Sequence, residues 1–465
     1  MSGEGLYLGA TQPLDGSSER RTLVMPADHL TTHAVIVGMT GSGKTGLVTV
    51  LVEEAIRSNV PVLMIDVKGD LPNLLLAFPT FEAAAIAPWI EPGPKSAEEA
   101  TKLADARRAG LEAWSVREPD IAAYNARAKL RVITPGADAG ELLHVLSSLE
   151  RRSARWDKDP EGARAALSAA ISLILRLLGR DADPARSREH VLLSVLAERR
   201  LASGQSADIA ELLPDVLTPP MDTIGALGVD AFLSKRARKD LAAALNALLA
   251  SPTFASWRQG ATLDVAEWMT PTPGRTPATI VSVAHLDDEE RELVLGVVLE
   301  EVLTWVRSLP GSQRLRALIV FDEVYGFLPP HPACPPTKRP IVALMKQARA
   351  FGVGVVIATQ NPMDLDYRAL SNAGLWCLGR LQTDADRARV LDGLVGRGGD
   401  DAEVIGDTLK RLAPRWFLMR DTQSKDGGGA VFLQPRWAMS FMRGPMTRIE
   451  IRRARGDART SGPIS

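Results

Sequence analysis

The chain has 465 residues, and 45% of them are hydrophobic, which is enough for a large core and at least one large insert or second lobe. Its 55 Lys and Arg residues almost balance its 56 Asp and Glu residues, giving a net charge of −1. This balance argues against a uniformly basic nucleic-acid-binding surface, but it is compatible with local basic loops or a basic pore.

The two cysteines, Cys334 and Cys377, have no metal-type spacing and offer no disulfide framework. The first residues lack the basic and apolar stretches of a signal peptide. No run approaches the ~18 apolar residues that are needed to span a bilayer. We therefore expect a cytoplasmic protein without membrane insertion.

The first functional motif is a Walker A loop at residues 38–45. It consists of Gly38, Met39, Thr40, Gly41, Ser42, Gly43, Lys44 and Thr45. Before it, 34–37 is an apolar run typical of a buried strand, and after it the apolar positions of 47–56 indicate a helix. Glycines let backbone N–H groups surround phosphate oxygens at the helix N-terminus. Lys44 would reach the β- and γ-phosphates and Thr45 would coordinate Mg²⁺, so the loop predicts a nucleoside triphosphate site.

Continuous Val/Ile/Leu runs recur along the chain and predict a mostly parallel sheet that is covered on both faces. The runs are Val62–Ile65, Arg131–Ile133, Thr279–Val283, Ala317–Phe321 and Gly354–Ala358. Between 137 and 270 the pattern becomes helical, and residues 80–128 and 287–308 also have helical character.

The organisation predicted from these patterns is α/β, with a large helical insert dividing an ATPase core. The boundaries are an N-terminal segment at 1–33, a first core part at 34–136, the insert at 137–270, a second core part at 271–443 and a tail at 444–465. The tail is rich in Arg and ends in Ser, Gly and Pro. We expect a frayed, disordered end there rather than a dedicated nucleic-acid arm.

The run Leu318 to Glu323 is a Walker B strand, because an apolar stretch ends in two carboxylates. Asp322 would hold Mg²⁺ and Glu323 would orient or deprotonate the attacking water. This division of roles suits phosphoryl transfer, in which positioning and charge neutralisation supply most of the catalysis. The pair favours hydrolysis over transfer to another metabolite.

Polar side chains also follow two further strands. Gln360 comes directly after one strand, and its amide would contact the γ-phosphate or the attacking water. Asp66 ends the second strand, and a carboxylate at the carboxyl end of a parallel strand faces the ligand crevice. Asp66 is either a neighbour of Mg²⁺ and the catalytic water or a simple cap of the following turn.

An arginine is expected to supply positive charge in the transition state, where such a residue contributes on the order of 10³–10⁵ in rate. Arg349 and Arg380 are the leading candidates, and Arg387 and Arg389 compete with them. The sequence does not separate an arginine finger from a surface ion pair, nor action in cis from action in trans.

Together these motifs resemble the HerA/FtsK superfamily of ring ATPases, on its HerA-like side. The similarity rests on His33–Thr45, on Asp66–Asp70, on Asp322-Glu323, on Ala358–Pro362 and on the stretch from Asp364 to Gly374. It covers about 34–70 and 280–395 closely.

The resemblance implies a RecA-like core, with the sensor strand between the Walker strands, assembled as a homo-hexamer with ATP and Mg²⁺ at subunit interfaces. It implies movement on double-stranded DNA through a central pore. The departures are too few residues before the first strand for the N-terminal β-barrel of HerA proteins, and no nuclease motif, so that cutting would come from a nuclease partner. The alternative function is an ATP-gated motor or scaffold acting on a protein partner in a defence or secretion complex.

Overall fold

The computed structural model describes residues 5–14, 20–150, 155–158, 160–360, 365–370, 373–381, 383–394, 401–424 and 429–456. Its strands are β1 (Leu6–Pro13), β2 (Arg21–Met25), β3 (Ala34–Val37), β4 (Val62–Asp66), β5 (Ala128–Ile133), β6 (Leu143–His144), β7 (Thr223–Ile224), β8 (Leu227–Gly228), β9 (Ala261–Thr262), β10 (Thr276–Ser282), β11 (Ser312–Asp322), β12 (Phe351–Thr359), β13 (Leu375–Leu378), β14 (Phe417–Asp421) and β15 (Val431–Pro435).

The helices surround this framework. They are α1 (Lys44–Arg57), α2 (Ala83–Ile86), α3 (Ser96–Glu112), α4 (Glu118–Arg127), α5 (Arg155–Lys158), α6 (Pro160–Leu177), α7 (Arg188–Ala202), α8 (Ile209–Leu217), α9 (Val229–Phe232), α10 (Lys235–Ala250), α11 (Pro252–Ala255), α12 (Val265–Trp268), α13 (Asp288–Ser308), α14 (Lys338–Gln347), α15 (Tyr367–Leu370), α16 (Asp384–Leu394), α17 (Asp401–Arg411) and α18 (Arg448–Ala454).

One eleven-stranded sheet organises the described residues, in the order β2-β1-β15-β14-β13-β3-β12-β11-β4-β10-β5. From β13 to β5 the pairs are parallel, and from β2 to β13 they are antiparallel. The five predicted strands are present. The sensor strand β12 lies between the Walker A strand β3 and the Walker B strand β11, as the resemblance implies.

The central strands are buried on both faces, and alternate residues enter two separate cores. In β3, Val35 and Val37 join the core on one face, whereas Ala34 and Ile36 join the core on the other. Because each apolar residue in such a strand has a partner layer, the strand reads as a continuous hydrophobic run. The loop after β3 therefore starts from a strand that is packed on both faces.

The helical stretch after β5 belongs to the first of these cores. Its longest helix, α6, packs against α13, and α13 packs against β12 of the sheet. Leu167, Ile171 and Ile174 of α6 lie in the same buried cluster as Ile319 of β11. The insert therefore shares a continuous hydrophobic core with the sheet.

Both ends of the described chain are tied to the sheet. The first residues form β1 and β2, and β1 pairs with β15. The prediction of a disordered tail from 444 is wrong for the residues described up to 456, because α18 forms there. Thr447 and Glu450 form a reciprocal capping box at its start, and Ile451 is buried in the second core.

A buried ion cluster ties the segment after β15 to α1. The Arg436 side chain is fully buried, and its guanidinium nitrogens lie 2.9 Å from carboxylate oxygens of Glu53 and of Glu54. Glu53 also accepts hydrogen bonds from the backbone N–H groups of Met439 and Ser440. Helix α1, which begins with Lys44, is thereby fixed to the segment that connects β15 to α18.

Candidate nucleotide and catalytic site

The candidate site lies where the parallel strands end. Residues 38–45 follow β3, Gln360 follows β12, Asp322 ends β11 and Asp66 ends β4. Carboxyl ends of parallel strands meet at one edge of a sheet, which is where open α/β folds bind ligands. The fold therefore brings four separately predicted motifs together.

The backbone of the Walker A loop has the conformation that phosphate binding needs. Gly41 and Gly43 have φ angles of 79° and 93°, in the left-handed region that favours glycine. Gly43 then serves as N-cap of α1, whose first residue is Lys44. The free N–H groups and the positive end of the helix dipole point toward the loop, as in an anion site.

Lys44 contacts the Walker B glutamate in this structure. Its Nζ lies 2.7 Å from Oε2 of Glu323, and the two side chains are only 5% and 14% exposed. Glu323 has a φ of 62°, which is uncommon for a residue with a Cβ and which clusters at active sites. The lysine that would bind phosphate is thus neutralised by the carboxylate that would activate water.

Gln360 joins the same cluster through both its backbone and its side chain. Its N–H donates to Oε1 of Glu323 at 3.0 Å, and its Oε1 accepts from Oγ1 of Thr40 at 2.7 Å. Gln360 therefore bridges the Walker A loop and the Walker B glutamate, through its side-chain oxygen and its backbone N–H respectively.

Asp322 is 2% exposed, and its Oδ1 has no hydrogen-bond partner among the residues that the structure describes. Burial raises the pKa of Asp322 to about 6, against the opposing charge of Lys44. A buried carboxylate oxygen without a partner is a suitable ligand for a divalent cation, directly or through water.

Asp66 forms a turn and also lies beside Asp322. Its Oδ1 accepts from the N–H groups of Gly69 at 2.9 Å and Asp70 at 3.2 Å, which fits the predicted cap. Its register partners on the neighbouring strands are Asp322 and Ser282, and the Ser282 hydroxyl donates to Oδ2 at 2.7 Å. Burial raises the pKa of Asp66 to about 7. Both predicted interpretations therefore have a structural basis.

Lys68 adds a second cation near the Walker B glutamate. Its Nζ lies 3.9 Å from Oε2 of Glu323, and the side chain is 43% exposed. Its charge also lowers the pKa of Asp70, although burial raises that pKa overall. Sequence reasoning did not single out Lys68, although it stands two residues after Asp66 in the quoted motif.

The candidate arginines lie in different places. Arg380 follows β13, its carbonyl accepts the Met39 N–H at 3.1 Å, and its side chain is exposed beside the Walker A loop. Arg349 is exposed just before β12, at the opposite end of this strand from Gln360. Arg349 therefore lies away from the Walker A loop and Glu323 of its own chain.

Arg387 and Arg389 are the two competing candidates. Arg387 is 6% exposed, donates to the Leu381 carbonyl at 3.0 Å and pairs with Asp384 within its own helix. This arrangement is a local structural contact. The Arg389 side chain lies outside the described residues, as do Asn361–Asp364 and the Ser371-Asn372 pair of the family motif.

An arginine that the sequence did not single out also touches the loop. Arg415 precedes β14, its N–H donates to the Ser42 carbonyl at 2.9 Å, and its guanidinium lies 4.8 Å from the ring centroid of Trp437. Nothing in its local sequence signals this placement, because the contact depends on β14 joining the sheet two strands from β3.

Among the described residues, no helix is long and apolar enough to cross a bilayer. The same residues contain no cluster of three or more His, Cys, Asp or Glu side chains suited to a metal ion.

Comparison with known proteins gives one family match and several structural matches. Residues 14–131 match the family model described as "Helicase HerA, central domain". VirB4 of Thermoanaerobacter pseudethanolicus is 14% identical, with 94% of this chain and 97% of that chain covered and a TM-score of 0.53. No curated protein matches the chain.

Two structures of a conjugative coupling protein also match almost the whole chain. The unbound monoclinic form of bacterial TrwBdeltaN70 is 12% identical over 97% of this chain and 92% of that one, with a TM-score of 0.51. Plasmid coupling protein TrwB in complex with ADP and Mg²⁺ is 15% identical over 96% and 99%, also with a TM-score of 0.51. At such identities the matches show the fold, and they confirm the predicted RecA-like α/β architecture.

Proposed function

We propose that this chain is a P-loop ATPase of the HerA/FtsK superfamily that uses Mg²⁺-dependent ATP hydrolysis to move double-stranded DNA; the match of residues 14–131 to the HerA central-domain model and the fold support this proposal. The observation that carries the proposal is the convergence of the Walker A loop, Asp322, Glu323 and Gln360 at one sheet edge. Thr40 and Lys44 of the loop form one hydrogen-bonded cluster with Glu323 and Gln360.

The resting contacts suggest how hydrolysis depends on nucleotide. Lys44 is paired with Glu323, so the incoming phosphates compete with that carboxylate for the lysine. When Lys44 turns to the phosphates, Glu323 is released to orient or deprotonate water. Gln360, which contacts both Glu323 and Thr40, would sense whether the γ-phosphate is present.

The residues present fit Mg²⁺. Asp322 offers a buried carboxylate oxygen without a partner among the described residues, and Thr45 stands at the start of α1 directly after the phosphate-binding lysine. These two side chains would hold the ion. When bound, Mg²⁺ neutralises charge on the β- and γ-phosphates. The cation would also favour the charged form of Asp322.

The DNA assignment is tested by ATP turnover with and without linear double-stranded DNA at moderate salt. We expect DNA to stimulate hydrolysis several-fold, and we expect the stimulation to decline as salt rises, because DNA binding releases counterions. Turnover that is indifferent to DNA at every salt concentration would contradict the DNA assignment. A protein partner would then be the next substrate to test, without loss of the ATPase assignment.

We further propose that the chain works as a homo-hexamer with ATP at subunit interfaces. In such a ring Arg349 would act on the site of a neighbouring subunit, because it lies at the opposite end of β12 from its own site. We expect light scattering in ATP and Mg²⁺ to give a mass near six chains. A monomeric mass at micromolar protein under those conditions would contradict the ring. Arg349→Ala should then be complemented by subunits that carry a Lys44→Ala substitution in mixed rings.

A further inference from the structure

Lys68 lies near the same carboxylate oxygen as the Walker A lysine. Its Nζ is 3.9 Å from Oε2 of Glu323, and the Nζ of Lys44 is 2.7 Å from that same oxygen. The two lysines differ in their surroundings, because Lys44 is buried whereas the Lys68 side chain is 43% exposed. Glu323 therefore has one close, buried cationic partner and a second, partly exposed one at the limit of ion-pair distance.

The turn that carries Lys68 is held in place by hydrogen bonds on its C-terminal side. Oδ1 of Asp66 accepts from the N–H groups of Gly69 at 2.9 Å and Asp70 at 3.2 Å. The Gly69 carbonyl accepts the Met446 N–H at 2.9 Å, and the φ of Gly69 is 89°. These contacts fix the backbone beside Glu323, while the flexible four-carbon side chain of Lys68 can still adjust its position.

The charges around Glu323 explain what a second cation contributes. Burial raises the pKa of Asp322 and of Asp70, and the negative charge of Glu323 adds to both increases. The positive charges of Lys44 and Lys68 oppose both increases, so the five side chains form one electrostatic cluster.

Nucleotide binding would change the balance of this cluster. Under the proposed function the phosphates take Lys44 and bring further negative charge to the crevice. Of the two lysines that the described residues place within 4 Å of the Glu323 carboxylate, Lys68 alone would then remain. Without it, Glu323 would face phosphates and two aspartates with no cation to oppose their repulsion.

We propose that Lys68 is a positioning residue, which holds the Glu323 carboxylate beside the attacking water after Lys44 has turned to the phosphates. The proposal rests on the proposed function, since it takes ATP hydrolysis and the roles of Lys44 and Glu323 as given, but it does not depend on DNA. Lys44 binds Glu323 in the empty site, and Lys68 binds it in the occupied site.

The placement of Lys68 favours this role over direct phosphate binding. Its turn follows β4, which neighbours the Walker B strand β11, whereas β11 and β12 separate β4 from the Walker A strand β3. A lysine ammonium is also a compact point charge without a fixed fork of donors. It can therefore remain paired with a carboxylate that changes its position between two states.

The test measures hydrolysis and binding separately, with Mg²⁺ and without DNA. The kcat and the dissociation constant of ATP are determined for the wild type, Lys68→Met and Lys68→Arg. We expect Lys68→Met to lower kcat roughly tenfold and to change the dissociation constant less than about twofold, because the lost interaction matters only for catalysis. Lys68→Arg keeps the charge and should restore kcat to within about threefold of the wild type. Lys239→Met is the matched control, since Lys239 is exposed on α10.

A double-variant cycle shows whether Lys68 acts through Glu323. Glu323→Gln removes the charge that attracts Lys68. Adding Lys68→Met to Glu323→Gln should therefore change the residual rate, measured in a single turnover, less than about twofold. A further tenfold loss in the double variant would show that Lys68 acts independently of Glu323, and it would overturn the proposal.

Other results would also overturn it. An unchanged kcat in Lys68→Met would make Lys68 a solvated surface residue, and weaker ATP binding with an unchanged kcat would make it a phosphate ligand. If Lys68→Met does not fold, as judged by circular dichroism, Lys68→Gln decides the question. Wild-type ATP affinity in Lys44→Ala would instead refute the phosphate site of the proposed function, and this result is distinct from every effect of Lys68.

Discussion

Glu323→Gln is expected to bind ATP with Mg²⁺ at least as tightly as the wild type and to hydrolyse it at least about 100-fold more slowly. Glutamine keeps the size and the hydrogen-bond acceptor that Gln360 contacts, but it cannot take a proton from water. Affinity is retained or improved because the neutral amide no longer competes with the phosphates for Lys44.

The measurement is steady-state hydrolysis alongside the dissociation constant of ATP. Glu289→Gln is the matched control, since this glutamate is exposed in the first turn of α13. Near-wild-type turnover in Glu323→Gln would remove Glu323 from the water-activating role. Slow turnover that comes with weak binding would instead indicate a structural role for the carboxylate.

The strands and the Walker motifs could be predicted from the sequence because each signal is local. A continuous apolar run identifies a buried strand, and a polar residue directly after it marks the ligand-binding edge. Asp322, Glu323 and Gln360 each follow such a run, so their convergence needed only the assumption of a parallel sheet. The sheet order confirms that assumption.

The remaining features depend on contacts between distant segments. Arg415 contacts Ser42 only because β14 lies two strands from β3 in the sheet. Trp437, which follows the last strand, packs against Gly110 of α3, far away in the sequence. No local pattern marks either residue. The tail shows the same limit, because its Arg-rich composition suggested fraying, whereas Ile451 has an apolar core to pack against.

The pairing of Lys44 with Glu323 was also outside the reach of sequence reasoning. The motifs assign the two residues to different roles, one at the phosphates and one at the attacking water. In the structure the two side chains form one ion pair, and the Gln360 N–H donates a hydrogen bond to Glu323. Under the proposed function, phosphate would displace the carboxylate from Lys44, and this exchange would link turnover to occupancy of the site.

Lys44→Ala is accordingly expected to lower ATP affinity at least about 100-fold and to abolish measurable hydrolysis, because the substitution removes the cation that faces the β- and γ-phosphates. Lys346→Ala is the matched control, since this lysine is exposed at the end of α14. Affinity within a few-fold of wild type would place the phosphates elsewhere.

The double variant Lys44→Ala, Glu323→Gln sharpens the test of the resting ion pair. If Glu323 competes with phosphate for Lys44, Glu323→Gln can improve ATP affinity only while the lysine is present. We therefore expect the dissociation constant of the double variant to equal that of Lys44→Ala within about twofold, a clear departure from additivity. Independent effects of the two substitutions on affinity would show that the 2.7 Å contact does not govern nucleotide entry.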